Sequence, residues 1–181
     1  MLQGIPIPGR TKPTAREVYR AQIGPKVQWQ ILPHGQARSH PATVICPRCH
    51  AISNGKRWFL NEELYQCVRN VPEVRLVVCP GCQRLAANEY EGVVELCSPL
   101  LRDNRAQALH LIANVEDQAR RHNPNNRVLA VEGGGDSLEV YTTTNVLAEQ
   151  IGRAFQRSFK GTLQFNRAPG EKLSRVYWIR C

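Results

Sequence analysis

Two Cys-x-x-Cys pairs, Cys46-Pro47-Arg48-Cys49 and Cys79-Pro80-Gly81-Cys82, lie 29 residues apart and constrain the chain more than any other feature. Each pair brings two thiolates to one side of a tight knuckle, where Pro47 or Pro80 restricts the turn and Gly81 lets backbone face sulfur. Four such sulfurs close the tetrahedron that Zn²⁺ takes in structural sites, each about 2.3 Å from the metal. Cys46, Cys49, Cys79 and Cys82 are therefore the expected ligands of one Zn²⁺ per chain. The gap between the pairs is wide for a zinc ribbon. A loop at Asn54 and Gly55, a short helix over 61–69 and an apolar strand over 74–78 fill it at small closure cost.

Other uses of these cysteines fit the sequence less well. Cys46 to His50 matches the haem-attachment pattern, but attachment requires export, and residues 1–18 lack the apolar core of a secretory signal. A thioredoxin-type pair would follow a strand and open a helix in a βαβ unit, a context not evident around these pairs. An odd total of seven cysteines and an expected cytoplasmic setting argue against a disulfide framework. Iron in a rubredoxin-like site uses the same geometry, and zinc is preferred as the commoner occupant. Cys67 and Cys97 read as small buried hydrophobes, Cys181 as an exposed thiol and His50 as a solvent-facing neighbour of a ligand. Four thiolates leave no open coordination position, and no Ser-His-acid constellation stands out, so the expectation is not an enzyme.

Charge gives the second constraint. Lys and Arg number 24 against 15 Asp and Glu, a net charge of +9, and 19 of the basic residues are arginine, whose planar fork suits phosphate. The surplus is uneven: +8 over residues 1–57, −3 over 58–98 and +4 over 99–181. Such asymmetry points to a polyanion partner, nucleic acid above all. No run approaches the roughly 18 apolar residues of a membrane helix.

Three segments follow from these patterns. Residues 1–42 form a basic arm rich in Pro and Gly, expected to be a disordered, solvated linker in which 14–23 is the one candidate for a short helix, with Arg10, Lys12, Arg16, Arg20 and Lys26 available to phosphates. Residues 43–98 form a four-cysteine, zinc-ribbon-like module that includes a strand over 92–96. Residues 99–181 carry an α-β-β-α-β-β pattern, implying a two-layer α+β domain. Its first helix starts at Asp103 or Asn104, runs to about His122 and presents Leu109, Ile112, Val115 and Ala119 as its core stripe. Strands over 127–132 and 137–142 flank the turn Gly133-Gly134-Gly135-Asp136. Thr144 or Asn145 caps a second helix with Leu147, Ile151, Phe155 and Phe159 inward, and strands over 162–166 and 173–180 follow.

Candidate RNA contacts come from cations beside aromatics and from cations on helices. Lys56 and Arg57 adjoin Trp58 and Phe59, a pairing that holds phosphate and stacks a base, although Trp58 packed over the knuckle is an equally good reading. Arg153, Arg157 and Lys160 recur on the face of the second helix opposite Ile151, and Arg120, Arg121, Arg127, Arg167 and Arg175 could extend a basic surface.

Residues 43–181, through CPRCH, GKRWF, CPGCQR, VVELCSPLL and YTTTNVLAEQIGRAF, resemble a family of small bacterial zinc proteins. More distantly they are similar to the amino-terminal region of the nonsense-mediated-decay protein three family, the export adaptor of the large ribosomal subunit. That family places CxxC knuckles before α+β domains and carries more CxxC pairs and further domains than this chain. The resemblance implies a metal role for Cys46, Cys49, Cys79 and Cys82 and a ribosome- or RNA-directed scaffold. The expected function is thus a non-enzymatic, cytoplasmic zinc protein that binds structured RNA and associates with the ribosome. The alternative is a protein-protein adaptor that uses the zinc module and an exposed sheet edge, with no RNA role.

Overall fold

A computed structural model of the chain describes residues 43–167, 170 and 172–181. The basic arm over 1–42, with its candidate helix over 14–23, lies outside the described residues.

The cysteine-rich part is built from very short elements. Strands β1 (Val44–Ile45), β2 (Ile52–Ser53) and β3 (Trp58–Phe59) are followed by helix α1 (Glu62–Val68), strand β4 (Arg75–Leu76) and helix α2 (Pro80–Ala87). The sheet order is β3-β2-β1-β4, antiparallel except for the parallel β1–β4 pair. Asn61 caps α1 by accepting from the Leu64 amide at 2.8 Å, with Glu62 and Glu63 in the first turn where the helix dipole favours acid. Ile45, Ile52, Phe59 and Leu64 are buried together, with Tyr65, Val68 and Val74 packed against them. The expected apolar strand over 74–78 is thus two residues long, and it lies at the sheet edge with Leu76 67% exposed.

A larger sheet organises the rest. Strands β5 (Gly92–Cys97), β6 (Val128–Glu132), β7 (Ser137–Thr142), β8 (Thr162–Asn166) and β9 (Ser174–Ile179) pair in the order β6-β7-β5-β9-β8. Gly92–Cys97, grouped by sequence with the cysteines, is the central strand here, antiparallel to β7 and parallel to β9. Three helices accompany the sheet: α3 (Leu100–Asp103), α4 (Arg105–His122) and α5 (Asn145–Phe159). Thr144 caps α5, its hydroxyl accepting from the Leu147 amide.

Alternation along the strands aims Val94, Leu96, Leu138, Val140, Val176 and Trp178 at the helices, where they meet Ile112, Leu147, Ile151 and Phe155. On α4 the buried positions are Ala108, Ile112 and Ala119, with Val115 packed against the same core, while Leu109 is 37% exposed; Ala108 takes the place expected of Leu109 and the rest of the stripe faces inward. Gly152 lets α5 approach the sheet, since a Cβ there would stand 2.5 Å from Val176 Cγ1. Among the described residues, no helix is long and apolar enough to cross a membrane.

Trp178 is fully buried, packs edge-on to Phe155 and donates its indole N–H to the Lys160 carbonyl at 2.6 Å. Trp178→Ala should therefore cost about 3–5 kcal/mol in urea unfolding. A loss below about 1 kcal/mol, the ordinary range of a surface change, would contradict this packing.

Candidate metal centre

The two knuckles converge by different routes. The first is the turn between β1 and β2, closed by the Cys46 amide donating to Ala51 O at 2.8 Å and the His50 amide to Cys46 O at 3.0 Å. His50 occupies the left-handed region (φ 62°) and stacks on Tyr65 at 4.1 Å between centroids, away from a ligand role. The second knuckle follows β4 and opens α2, with Cys79 as N-cap and Pro80 in the first turn. This is the strand-then-helix setting that sequence did not reveal. Here, however, the two pairs meet: all four sulfurs lie within 4.8 Å of one another.

That geometry fits one metal ion. Bonds of about 2.3 Å in a regular tetrahedron place sulfurs about 3.8 Å apart, and the Cys49 and Cys79 Sγ atoms are 3.5 Å apart. The Cys79 amide donates to Cys46 Sγ at 3.3 Å, a contact that stabilises thiolate charge. Cys46, Cys79 and Cys82 are buried, and Trp58, Leu60 and Val78 pack around the cluster. Without a shared cation the thiols compete for charge. The hydrogen bond with Cys79 is the chief cause holding Cys49 down at about 4, and the same bond pushes the Cys79 thiol up. Burial is the chief cause raising Cys82 to about 11. A metal bound by all four removes that conflict by stabilising every thiolate at once.

Helix α2 also joins the centre to the larger domain. The Gly81 amide donates to Asn125 Oδ1 at 3.1 Å, and a Cβ on Gly81 would stand 2.6 Å from Pro124 O. Further along the helix, Arg84 donates to Thr143 O at 2.7 Å and pairs with Glu91 at 2.9 Å. Arg127, buried on the same loop as Pro124, holds Pro124 O through Nε at 2.9 Å and Thr143 Oγ1 through its amide at 2.9 Å. Gly81 was expected to serve the sulfurs. It serves this close approach, and the partners Pro124 and Asn125 lie too far along the chain for spacing to reveal them.

The candidate RNA residues fall in three places. Lys56 and Arg57 are exposed on the β2–β3 turn, where both backbone amides donate to Asn54 Oδ1 at 3.1 Å. Trp58 is half-buried against the cysteines, the packing alternative. On α5, Arg153, Arg157 and Lys160 at its cap are exposed, and Arg153 lies over the Phe165 ring at 4.8 Å. Arg121 pairs with Asp117 at 2.6 Å, and Arg120 is half-buried on α4. Arg153 and Arg157 share a groove with Gln118 and His122 of α4, whereas Arg120 and Arg121 do not line it. Cys67, Cys97 and Cys181 are exposed, so the first two are not the buried residues expected.

No family model, curated protein or solved structure matches the chain.

Two outcomes test the centre and its docking. Cys79→Ser leaves a coordination gap in a module with four principal core residues, so residues 43–90 should become protease-sensitive while 99–181 resists. Unchanged resistance would contradict the metal role. Gly81→Ala should lose about 1–3 kcal/mol from overpacking, seen as a lowered urea midpoint, because its Cβ meets Pro124 backbone; an unchanged midpoint would contradict that docking.

Proposed function

We propose that this chain is a non-enzymatic, cytoplasmic zinc protein that binds structured RNA, with the ribosome as its setting. The convergence of Cys46, Cys49, Cys79 and Cys82 carries the metal part of this reading. Zinc is favoured by the all-thiolate donor set, and four protein ligands give the ion a structural task without an open position for catalysis. The RNA part is supported by the net charge of +9 and by the exposure of Arg153, Arg157 and Lys160 on one helix. Lys56 and Arg57 supply further phosphate contacts, while packed Trp58 is a poorer base platform than its neighbours in sequence suggest. Arg120 is half-buried and Arg121 is held by Asp117 at 2.6 Å, which makes them the weakest members of the set, while Arg153 shares its charge more loosely with Glu149 at 3.8 Å.

One observation favours the second reading, a protein adaptor. The β4 edge exposes Leu76 at 67% and Val77 at 38%, an apolar strand edge that another chain could extend.

Salt distinguishes the two. Replacing Arg153, Arg157 and Lys160 together with Gln should leave stability within about 0.5 kcal/mol per site. RNA binding should weaken on every sequence, and the slope of log K against log salt should flatten by about two to three units. A folded variant with an unchanged slope would remove these residues from the interface. A wild-type chain with no measurable RNA affinity, and no ribonuclease-sensitive sedimentation with ribosomes, would leave the adaptor reading.

A further inference from the structure

Resting on that RNA reading, we infer that the groove between α4 and α5 is a track for the phosphodiester backbone of one RNA strand. Helix α4 contributes His110, Asn114, Gln118 and His122, spaced four residues apart and therefore aligned along one face. Across the groove, α5 contributes Arg153 and Arg157, one turn apart. The groove widens into two successive pockets of about 250 and 360 Å³, and no carboxylate among the described residues lines either.

The chemistry of the lining selects the ligand. Amide and imidazole N–H groups donate to anionic oxygens, and two guanidinium forks supply charge that phosphate accepts bidentately. From His110 to His122 the α4 row spans about 18 Å at 1.5 Å per residue, comparable to a short single-strand site of about four nucleotides. The floor is shallow and partly apolar, formed by Leu111, Val115 and Ala119. Such a floor suits an extended backbone better than a deeply enclosed small molecule.

Charge on the opposite side of the domain reinforces the choice. The sheet face turned away from the helices places Glu132 opposite Glu139 and Glu139 opposite Glu95 on three neighbouring strands. Tyr141 donates to Glu139 at 2.6 Å, and Arg175 reaches Glu95 at 3.4 Å. Among the described residues, Glu132 and Glu139 form no ion pair. This face repels phosphate, so its tyrosines are poor platforms for RNA bases. The helical side offers a groove lining without carboxylates, and Glu149 and Asp117, outside that lining, pair with Arg153 at 3.8 Å and with Arg121 at 2.6 Å.

The test uses the full-length, metal-loaded chain with fluorescence anisotropy on a labelled oligouridine of about ten nucleotides. Asn114→Asp with Gln118→Glu changes two exposed donors to carboxylates in the groove and should weaken binding at least about tenfold, with metal content and thermal unfolding unchanged. Gln118→Lys should tighten it a few-fold. Gln164→Glu with Asn166→Asp, the same two-charge change on the outer sheet face opposite Tyr177 and Arg175, should stay within about twofold. Equal losses from the groove and sheet variants would reduce the effect to net charge and overturn the track. Unchanged binding in the groove variants would overturn it while leaving the RNA reading intact. A wild-type chain that binds no RNA would overturn both.

Discussion

Four sulfurs within 4.8 Å of one another hold together strands of two residues each and two helices of seven and eight residues. Elements so short cannot fold on their own hydrogen bonds, and the core they share consists chiefly of Ile45, Ile52, Phe59 and Leu64. A staple is what such a module needs. A metal bound by the four cysteines would supply it, because binding free energy in a site of this kind is folding free energy. The hydrogen bond to Cys46 sulfur, the packing of Trp58 and the stacking of His50 on Tyr65 all depend on that convergence.

Helix α2 carries the effect beyond the module. Its cap and first turn contain two of the cysteines, and within the same turn Gly81 is pressed against Pro124 and Asn125. Arg84 then ties the helix to Thr143, directly before the residue that caps α5. The position of the larger domain against the cysteine module is therefore set within one residue of the clustered cysteines. Loss of the ion would loosen the second knuckle and this docking together, while the five-stranded sheet retains its own core around Trp178 and Phe155.

Local signals were readable in the sequence where chemistry is local. Asn61 and Thr144 cap helices because a short polar side chain can reach an orphan amide in the first turn. The cysteine spacing identified the four residues that cluster because the CxxC pattern itself fixes a knuckle. Nonlocal facts were hidden. Gly92–Cys97 follows the cysteines in sequence, yet its partners are β7 and β9, some 40 to 90 residues later. Pro80 reads as a turn residue, but Pro suits the first turn of a helix, where its missing N–H costs nothing. On α4, the bulk of Leu109 suggested a core position, while the smaller Ala108 is the residue buried in the core there. The groove row from His110 to His122 went unread in the sequence, because only the position of α5 gives it an opposing wall.

The account depends most directly on what binds the four thiolates. X-ray absorption at the zinc edge of the purified full-length protein, paired with elemental analysis, measures both occupancy and ligand set. The expected result is one zinc per chain with four sulfur neighbours at about 2.3 Å and no nitrogen or oxygen shell. Substoichiometric metal with Cys46, Cys49, Cys79 and Cys82 joined as disulfides, or a mixed sulfur and nitrogen shell, would contradict it.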